Sequence, residues 1–132
     1  MGFVVDASVT ACWILPDESH TTASSAFELL RNESAVVPAL WRYEVRNFLL
    51  VNERRGRIAP ADSTEALKWL RRFPIHVDPG HDHDGLLILA RTHALTIYDA
   101  AYLETAIRLA LPLATLDKDL RKAAKKARVP LI

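Results

Sequence analysis

One cysteine, Cys12, in 132 residues excludes an internal disulfide framework and any zinc site built from several thiolates. Its apolar neighbours Trp13, Ile14 and Leu15 point to a packing role, not a reactive thiol. No apolar run approaches the roughly 18 residues of a membrane-spanning helix, so no membrane protein is expected. No basic stretch precedes a long apolar segment at the start, and Met1, Gly2 does not open a myristoylation pattern because position 6 is aspartate. The expected address is the cytoplasm. An excess of one charge is also missing: 17 basic residues stand against 16 acidic ones, which does not announce a nucleic-acid binder. Repeats, low-complexity tracts and linkers are absent, so residues 1–132 read as one domain around one core.

What the chain does contain is an alternation of short apolar runs and helical patterns. Phe3 to Val5 reads as a buried strand, followed by a helix over 7–15 that Pro16 stops. Asp17 or Ser19 is expected to cap the next helix, whose Ala23, Ala26, Phe27 and Leu30 share one face. Ala35 to Val37 forms a second strand, and a helix from about Leu40 to Arg55 ends at Gly56. Pro60 opens another helix, with Ala66, Leu67, Trp69, Leu70 and Phe73 turned inward, and Ile75 to Val77 is a third strand. Leu86 to Ala90 reads as part of a buried helix, and Thr96 caps the one that follows. Leu113 to Leu116 is a fourth strand, a helix runs from Lys118 to about Ala127, and Val129 to Ile132 is a short edge strand. This order predicts a three-layer α/β/α domain with a mostly parallel sheet of four to five short strands, because parallel strands need helical crossovers.

Right-handed crossovers place all strand carboxyl ends on one edge, where open α/β sheets bind ligands. Asp6 and Asp117 both follow a strand directly. Glu44 lies on the apolar stripe of Leu40, Trp41, Phe48 and Val51, and Asp99 heads the face of Tyr102, Leu103 and Ala106. Each acid alone has an ordinary role, as a helix cap or as a marginal glutamate pairing with Arg42 or Arg46. Together they can converge, and two unit charges 4 Å apart repel by about 4 kcal/mol at an effective dielectric near 20. Several carboxylates in one cleft therefore need protons or a cation, and an oxygen-only set suits Mg²⁺ or Mn²⁺. Such an ion acidifies water and neutralises charge developing on a phosphodiester. In this scheme Asp6 and Asp117 hold the metal, Glu44 holds it through water or orients the nucleophile, and Asp99 completes the set. Ser8 and Thr115 are placed to hydrogen-bond these carboxylates.

The residues that carry this scheme, Val5-Asp6-Ala7-Ser8, Glu44, Tyr98-Asp99-Ala100-Ala101-Tyr102-Leu103 and Ala114-Thr115-Leu116-Asp117-Lys118-Asp119-Leu120, resemble the PIN-domain ribonucleases in order and spacing along nearly the whole chain. Similarity is greatest to the VapC-type toxins of toxin–antitoxin pairs. The resemblance implies a Mg²⁺- or Mn²⁺-dependent endoribonuclease with Asp6, Glu44, Asp99 and Asp117 as its acidic quartet and Asp6, Asp99 and Asp117 on the metal. It places Asp119 outside the metal's immediate ligands. It further implies an RNA substrate, a homodimer, and an antitoxin whose tail could settle on exposed Trp13, Trp41 or Phe48. Where relatives often carry glycine before the last strand, this chain has Arg128, which bears on a turn and not on catalysis.

Three other signals are weighed against this reading. Basic clusters at Arg54, Arg55 and Arg57, at Arg71 and Arg72, and along the last helix read first as solvated faces. Lys118, Arg121, Lys122 and Lys125 are the candidates for RNA phosphates. His81-Asp82-His83-Asp84 resembles part of the metallo-β-lactamase H-x-H-x-D-H motif, but Gly85 and Leu86 stand where the last Asp and His belong, so these acids are read as caps. A phosphoacceptor receiver domain expects adjacent acids after the first strand and a lysine after the last; Ala7 follows Asp6, and no lysine lies in 129–132. A catalytically silent PIN-fold binding module would lack an acid, and none is missing.

Overall fold

Phe3, Val4 and Val5 have no solvent exposure, and around them the sheet is built. In the computed structural model, which describes residues 2–15 and 17–132, they lie in β1 (Gly2–Val5). Strand β1 pairs in parallel with β2 (Ser34–Pro38) on one side and β4 (Leu113–Ala114) on the other, and β3 (Ile75–Asp78) extends the sheet beyond β2. The order β3-β2-β1-β4 is that of the expected parallel sheet, and apolar runs without alternation are what strands covered on both faces require.

Seven helices accompany these strands among the described residues: α1 (Ala7–Ile14), α2 (Thr21–Leu29), α3 (Leu40–Arg54), α4 (Pro60–Leu70), α5 (His83–His93), α6 (Ile97–Leu109) and α7 (Lys118–Lys126). Helix α6 packs on β1, β2 and β4, while α1 touches α2 and α3, and α3 touches α4, giving the three-layer α/β/α arrangement. Gly56 follows α3 with φ of 72°, the left-handed conformation that glycine adopts without a side-chain clash. Arg128 takes the same region after α7, with φ of 59°, at the position where a glycine would fit without strain.

Several boundaries differ from the sequence reading. His20, not Asp17 or Ser19, caps α2: its Nδ1 accepts from Thr22 N at 3.1 Å, and α2 therefore starts later. Pro16, the expected stop for α1, lies outside the described residues. The ladder of β4 ends at Ala114, because Thr115 already turns its hydroxyl to the site described below. The final strand reduces to one parallel bridge between Leu113 and Leu131. Trp41 is buried and donates its indole N–H to Thr10 Oγ1 at 2.9 Å, so it offers no surface to a partner. The run Leu86–Ala90 is not buried throughout: Leu86 faces the core, while Leu87 and Ile88 are 46% and 62% exposed, since a helix shows only one face to its neighbours.

Candidate active site

The register of β1 against β4 pairs Val4 with Leu113 and Val5 with Ala114, so the next residues, Asp6 and Thr115, meet where the two strands end. The chain runs from β1 to β2 and β3 in one direction and returns to β4 on the other side of β1. The crevice between β1 and β4 is therefore the topological switch point of the sheet. Asp6 is buried there. Its Oδ1 accepts from Ser8 Oγ at 2.7 Å and from Val9 N at 3.1 Å, and its Oδ2 accepts from Thr115 Oγ1. Burial pushes the Asp6 pKa up. The hydrogen bonds of Ser8, Thr115 and Val9 oppose that rise, and the charge of Asp117 adds to it.

Both hydroxyls expected beside the acids do more than touch Asp6. Ser8 Oγ accepts from Leu116 N at 3.0 Å, and Thr115 Oγ1 accepts from Asp117 N at 3.1 Å, so the two residues stitch α1 to the segment leading into α7. Asp117 caps α7, its Oδ1 accepting from Leu120 N at 2.8 Å. The capping role and a place at the crevice coexist in both aspartates. Each carboxylate oxygen has two acceptor positions, and capping takes only part of them.

Glu44 is half-buried on α3, and Arg42 and Arg46 do not engage it; the Arg46 guanidinium donates to the Arg42 carbonyl instead. The partner of Glu44 is Tyr102 of α6, whose hydroxyl donates to Oε1 at 2.6 Å. Burial raises the Glu44 pKa, the Tyr102 bond lowers it, and the charge of Asp6 raises it further. Burial, then the bond to Glu44 and the charges of Glu44, Asp6 and Asp99, also push the Tyr102 phenol up, so it stays a donor. Sequence reasoning placed Tyr102 on an apolar face and missed this role. The available signal was a tyrosine in a buried stripe, whose hydroxyl must find a partner.

Asp99 sits in the first turn of α6, where Thr96 Oγ1 caps the helix by accepting from Asp99 N at 3.1 Å. Burial, then the charges of Asp117, Glu44 and Asp6, push its pKa up to about 6. Each of the other three acids is thus close enough to act on Asp99. Ion pairs occur elsewhere, between Arg57 and Asp17 and between Arg108 and both Asp78 and Glu104. Among the described residues no three of these side chains close into a preformed metal cage. Carboxylates that repel one another and bind their own donors stand apart in this way. An oxygen-only set without a countercharge still fits a hard cation such as Mg²⁺, which keeps several waters and needs only one or two direct carboxylates.

The remaining candidates lie around this centre or away from it. Asp119 is exposed and lines a cleft with His93, Lys122 and Lys126. Lys118, Lys122 and Lys125 are exposed on α7, whereas Arg121 is half-buried and donates to the Thr115 carbonyl at 2.9 Å, a structural tie beside the crevice. In the His81–Asp84 stretch, Asp82 caps α5 through Gly85 N, as expected of an acid there. His81 Nδ1 lies 2.7 Å from Glu104 Oε2. Glu104 is buried, which would raise its pKa, but hydrogen bonds from Arg108, His81 and Asp82 more than offset this and hold it low. This network fastens the loop before α5 to α6, a contact that local sequence does not reveal.

A family model described as PIN domain matches residues 3–126. The chain is 32% identical over 124 residues to "Ribonuclease VapC3" of Pyrobaculum aerophilum, covering 91% of this chain and 92% of that one. The crystal structure of PAE2754 from the same organism superposes with a TM-score of 0.75 at 25% identity, over 93% of this chain and 84% of the other. Mycobacterium tuberculosis VapC20, described as a Sarcin-Ricin loop cleaving toxin, gives a TM-score of 0.62 at 14% identity, over 92% and 94%.

Proposed function

The chain belongs to the PIN domain family, and on that footing we propose that it is a metal-dependent endoribonuclease, the toxin of a toxin–antitoxin pair, which cuts RNA phosphodiesters beside Asp6, Glu44, Asp99 and Asp117. The observation that carries this reading is the geometry at the β1–β4 switch point, where Asp6 accepts from Ser8 and Thr115 and Glu44 accepts from Tyr102, with Asp99 near enough to the other acids for burial and their charges to push its pKa up to about 6. Such crowding of acids is a common mark of a working site. The name of the relative, a ribonuclease, supports RNA as the substrate.

Asp6, Asp99 and Asp117 would hold Mg²⁺ or Mn²⁺. When bound, the ion supplies Lewis acidity toward the phosphate and lowers the pKa of water. The chain's own residues do the rest. Ser8, Val9 and Thr115 hold the Asp6 carboxylate in place and oppose the rise in pKa that burial brings. Tyr102 holds Glu44 Oε1, which leaves Oε2 to orient the attacking water and accept its proton. Exposed Lys118, Lys122 and Lys125 lie on α7, the helix that Asp117 caps, and contribute phosphate contacts. The partners are RNA and a cognate antitoxin. A second copy of the chain covers the α5 face that leaves Leu87 and Ile88 uncovered. No helix of the described residues is long and apolar enough to cross a membrane.

The test is incubation of antitoxin-free protein with a pool of structured RNAs in Mg²⁺, in Mn²⁺ and in EDTA, beside Asp6→Asn and Asp99→Asn, with mapping of new ends. Metal-dependent cuts lost in both variants are expected. Absence of cutting by folded wild-type protein under every condition would overturn the reading.

A further inference from the structure

Beside the acids, α1 and α3 enclose a cavity of about 510 Å³, a size typical of small-molecule sites. It borders the acidic centre, since Ser8, which donates to Asp6, and Glu44 belong to its lining. From Glu44 it follows one face of α3, where Asn47, Phe48 and Val51 stand at i+3, i+4 and i+7. Ala11 of α1 forms part of the opposite wall, and Glu18 borders the cavity where it meets the hollow around His20 and Phe27. Among the described residues no lysine or arginine lines it. Arg57, 3.8 Å from Glu18 Oε1, is turned chiefly to Asp17.

We propose that this cavity seats the nucleobase attached to the phosphodiester at the acidic centre, and that Glu18 and Asn47 select which base it accepts. The inference rests on the ribonuclease reading and deepens it. A phosphodiester held at the acids carries its own nucleoside to the cavity mouth, so the base is presented at high effective concentration. The walls suit a flat, neutral, partly apolar group, with Phe48 available to its face, as single-stranded RNA is commonly bound. With no lysine or arginine in its lining, the cavity offers a second phosphate no countercharge of its own. Ionised Glu18 only accepts hydrogen bonds, whereas Asn47 both donates and accepts. A base edge with adjacent N–H donors, as in guanine, matches this pair. Uracil, with a single N–H between two carbonyls, can give Glu18 only one hydrogen bond and binds more weakly.

The experiment is a titration of the isotope-labelled wild-type protein with 5′-GMP and 5′-UMP, in Mg²⁺ and in EDTA, followed by amide resonances, which needs no cleavage. Shifts at Ala11, Cys12, Asn47 and Phe48 are expected, with GMP about tenfold tighter than UMP. Glu18→Gln should erase most of that preference, Asn47→Ala should weaken GMP, and Phe48→Ala should weaken both nucleotides by about tenfold. In cleavage of a randomised single-stranded RNA, Glu18→Gln should change the base preferred at the cut without abolishing cutting. Failure of all mononucleotides to move these amides would overturn the proposal. So would response of the same amides only to a probe peptide such as acetyl-Leu-Arg-Leu-amide, which would assign the cavity to a protein partner. GMP binding without any RNA cleavage would keep the base site and sink the nuclease reading; cleavage without mononucleotide binding would do the reverse.

Discussion

Tyr102 of α6 donates its hydroxyl to Glu44 of α3 at 2.6 Å, joining residues 58 apart in sequence across the mouth of the acidic crevice. The bond offsets part of the rise in pKa that burial and the Asp6 charge bring to a glutamate half-buried on an apolar stripe, because a donated hydrogen bond stabilises the charged form.

Tyr102→Phe removes that donor and leaves the ring in place. The Glu44 pKa then rises further, since only the Tyr102 bond opposes burial and the Asp6 charge. The acid limb of the pH–rate profile for RNA cleavage should shift upward, with about a tenfold loss near neutral pH. An unchanged limb would show that Glu44 is not used in its ionised form.

Asp99→Asn should stabilise the metal-free protein while cutting cleavage by about 100-fold or more. A folded-state pKa near 6 lies above the ordinary value of 3.8, so the native state binds the extra proton between these limits and stability falls as pH rises through them. Above pH 6 the full penalty is present. Discounted for solvent screening at this half-buried group, it is about 1 kcal/mol, or a few degrees of Tm. Thermal melts in EDTA at pH 4 and pH 7.5 should show the variant's advantage only at the higher pH. Added Mg²⁺ should raise the melting temperature of the wild type more than that of the variant.

Thr115→Val should destabilise by about 2 kcal/mol and Ser8→Ala by about 1 kcal/mol. The Thr115 hydroxyl is fully buried and serves both Asp6 and Asp117 N, whereas Ser8 is partly solvated and water can replace its bonds. Urea denaturation with equal slopes would measure the difference.

Arg128→Gly should stabilise by up to about 1 kcal/mol, because φ of 59° strains a residue with a side chain and suits glycine. Cleavage should stay at the wild-type level. The thermal midpoint decides, and a fall would mean that the entropy of the unfolded chain outweighs the relief.

Lys122→Ala or Lys125→Ala should reduce the salt dependence of RNA binding by about 0.7 in the log–log slope for each lost phosphate contact. Arg121→Ala should instead lower stability, since its guanidinium is engaged by the Thr115 carbonyl. Binding isotherms at several salt concentrations, with melting curves alongside, separate the two roles.

The parallel sheet was legible because its strands are apolar on both faces and separated by helical periods. The position of Asp6 at a strand end followed from the same grammar, whereas Asp117, expected directly after a strand, lies beyond Thr115 and Leu116 as the cap of α7, because β4 ends at Ala114. Less visible was whatever depends on distant chain. The sequence reading expected Asp17 or Ser19 to cap α2 because those residue types favour caps; loop geometry brought His20 there instead. His81 was weighed as a metal ligand, and its partner Glu104 lies 23 residues on, beyond any local pattern. Tyr102 looked like one more core residue because periodicity reports the face a side chain occupies and says nothing of what its hydroxyl meets. Leu87 and Ile88 show the converse limit, since an apolar run does not reveal which of its sides lacks a neighbour.

The two residues of β4 have a consequence in time. They complete the sheet beside β1, so Asp6 waits for Thr115 while the 109 positions that separate the two are made. A growing chain on the ribosome holds its first acid long before the partners that order it, and a premature stop anywhere before residue 113 yields no crevice. For the nuclease proposed above, this threading means that the crevice can form only after both of its strands have been made.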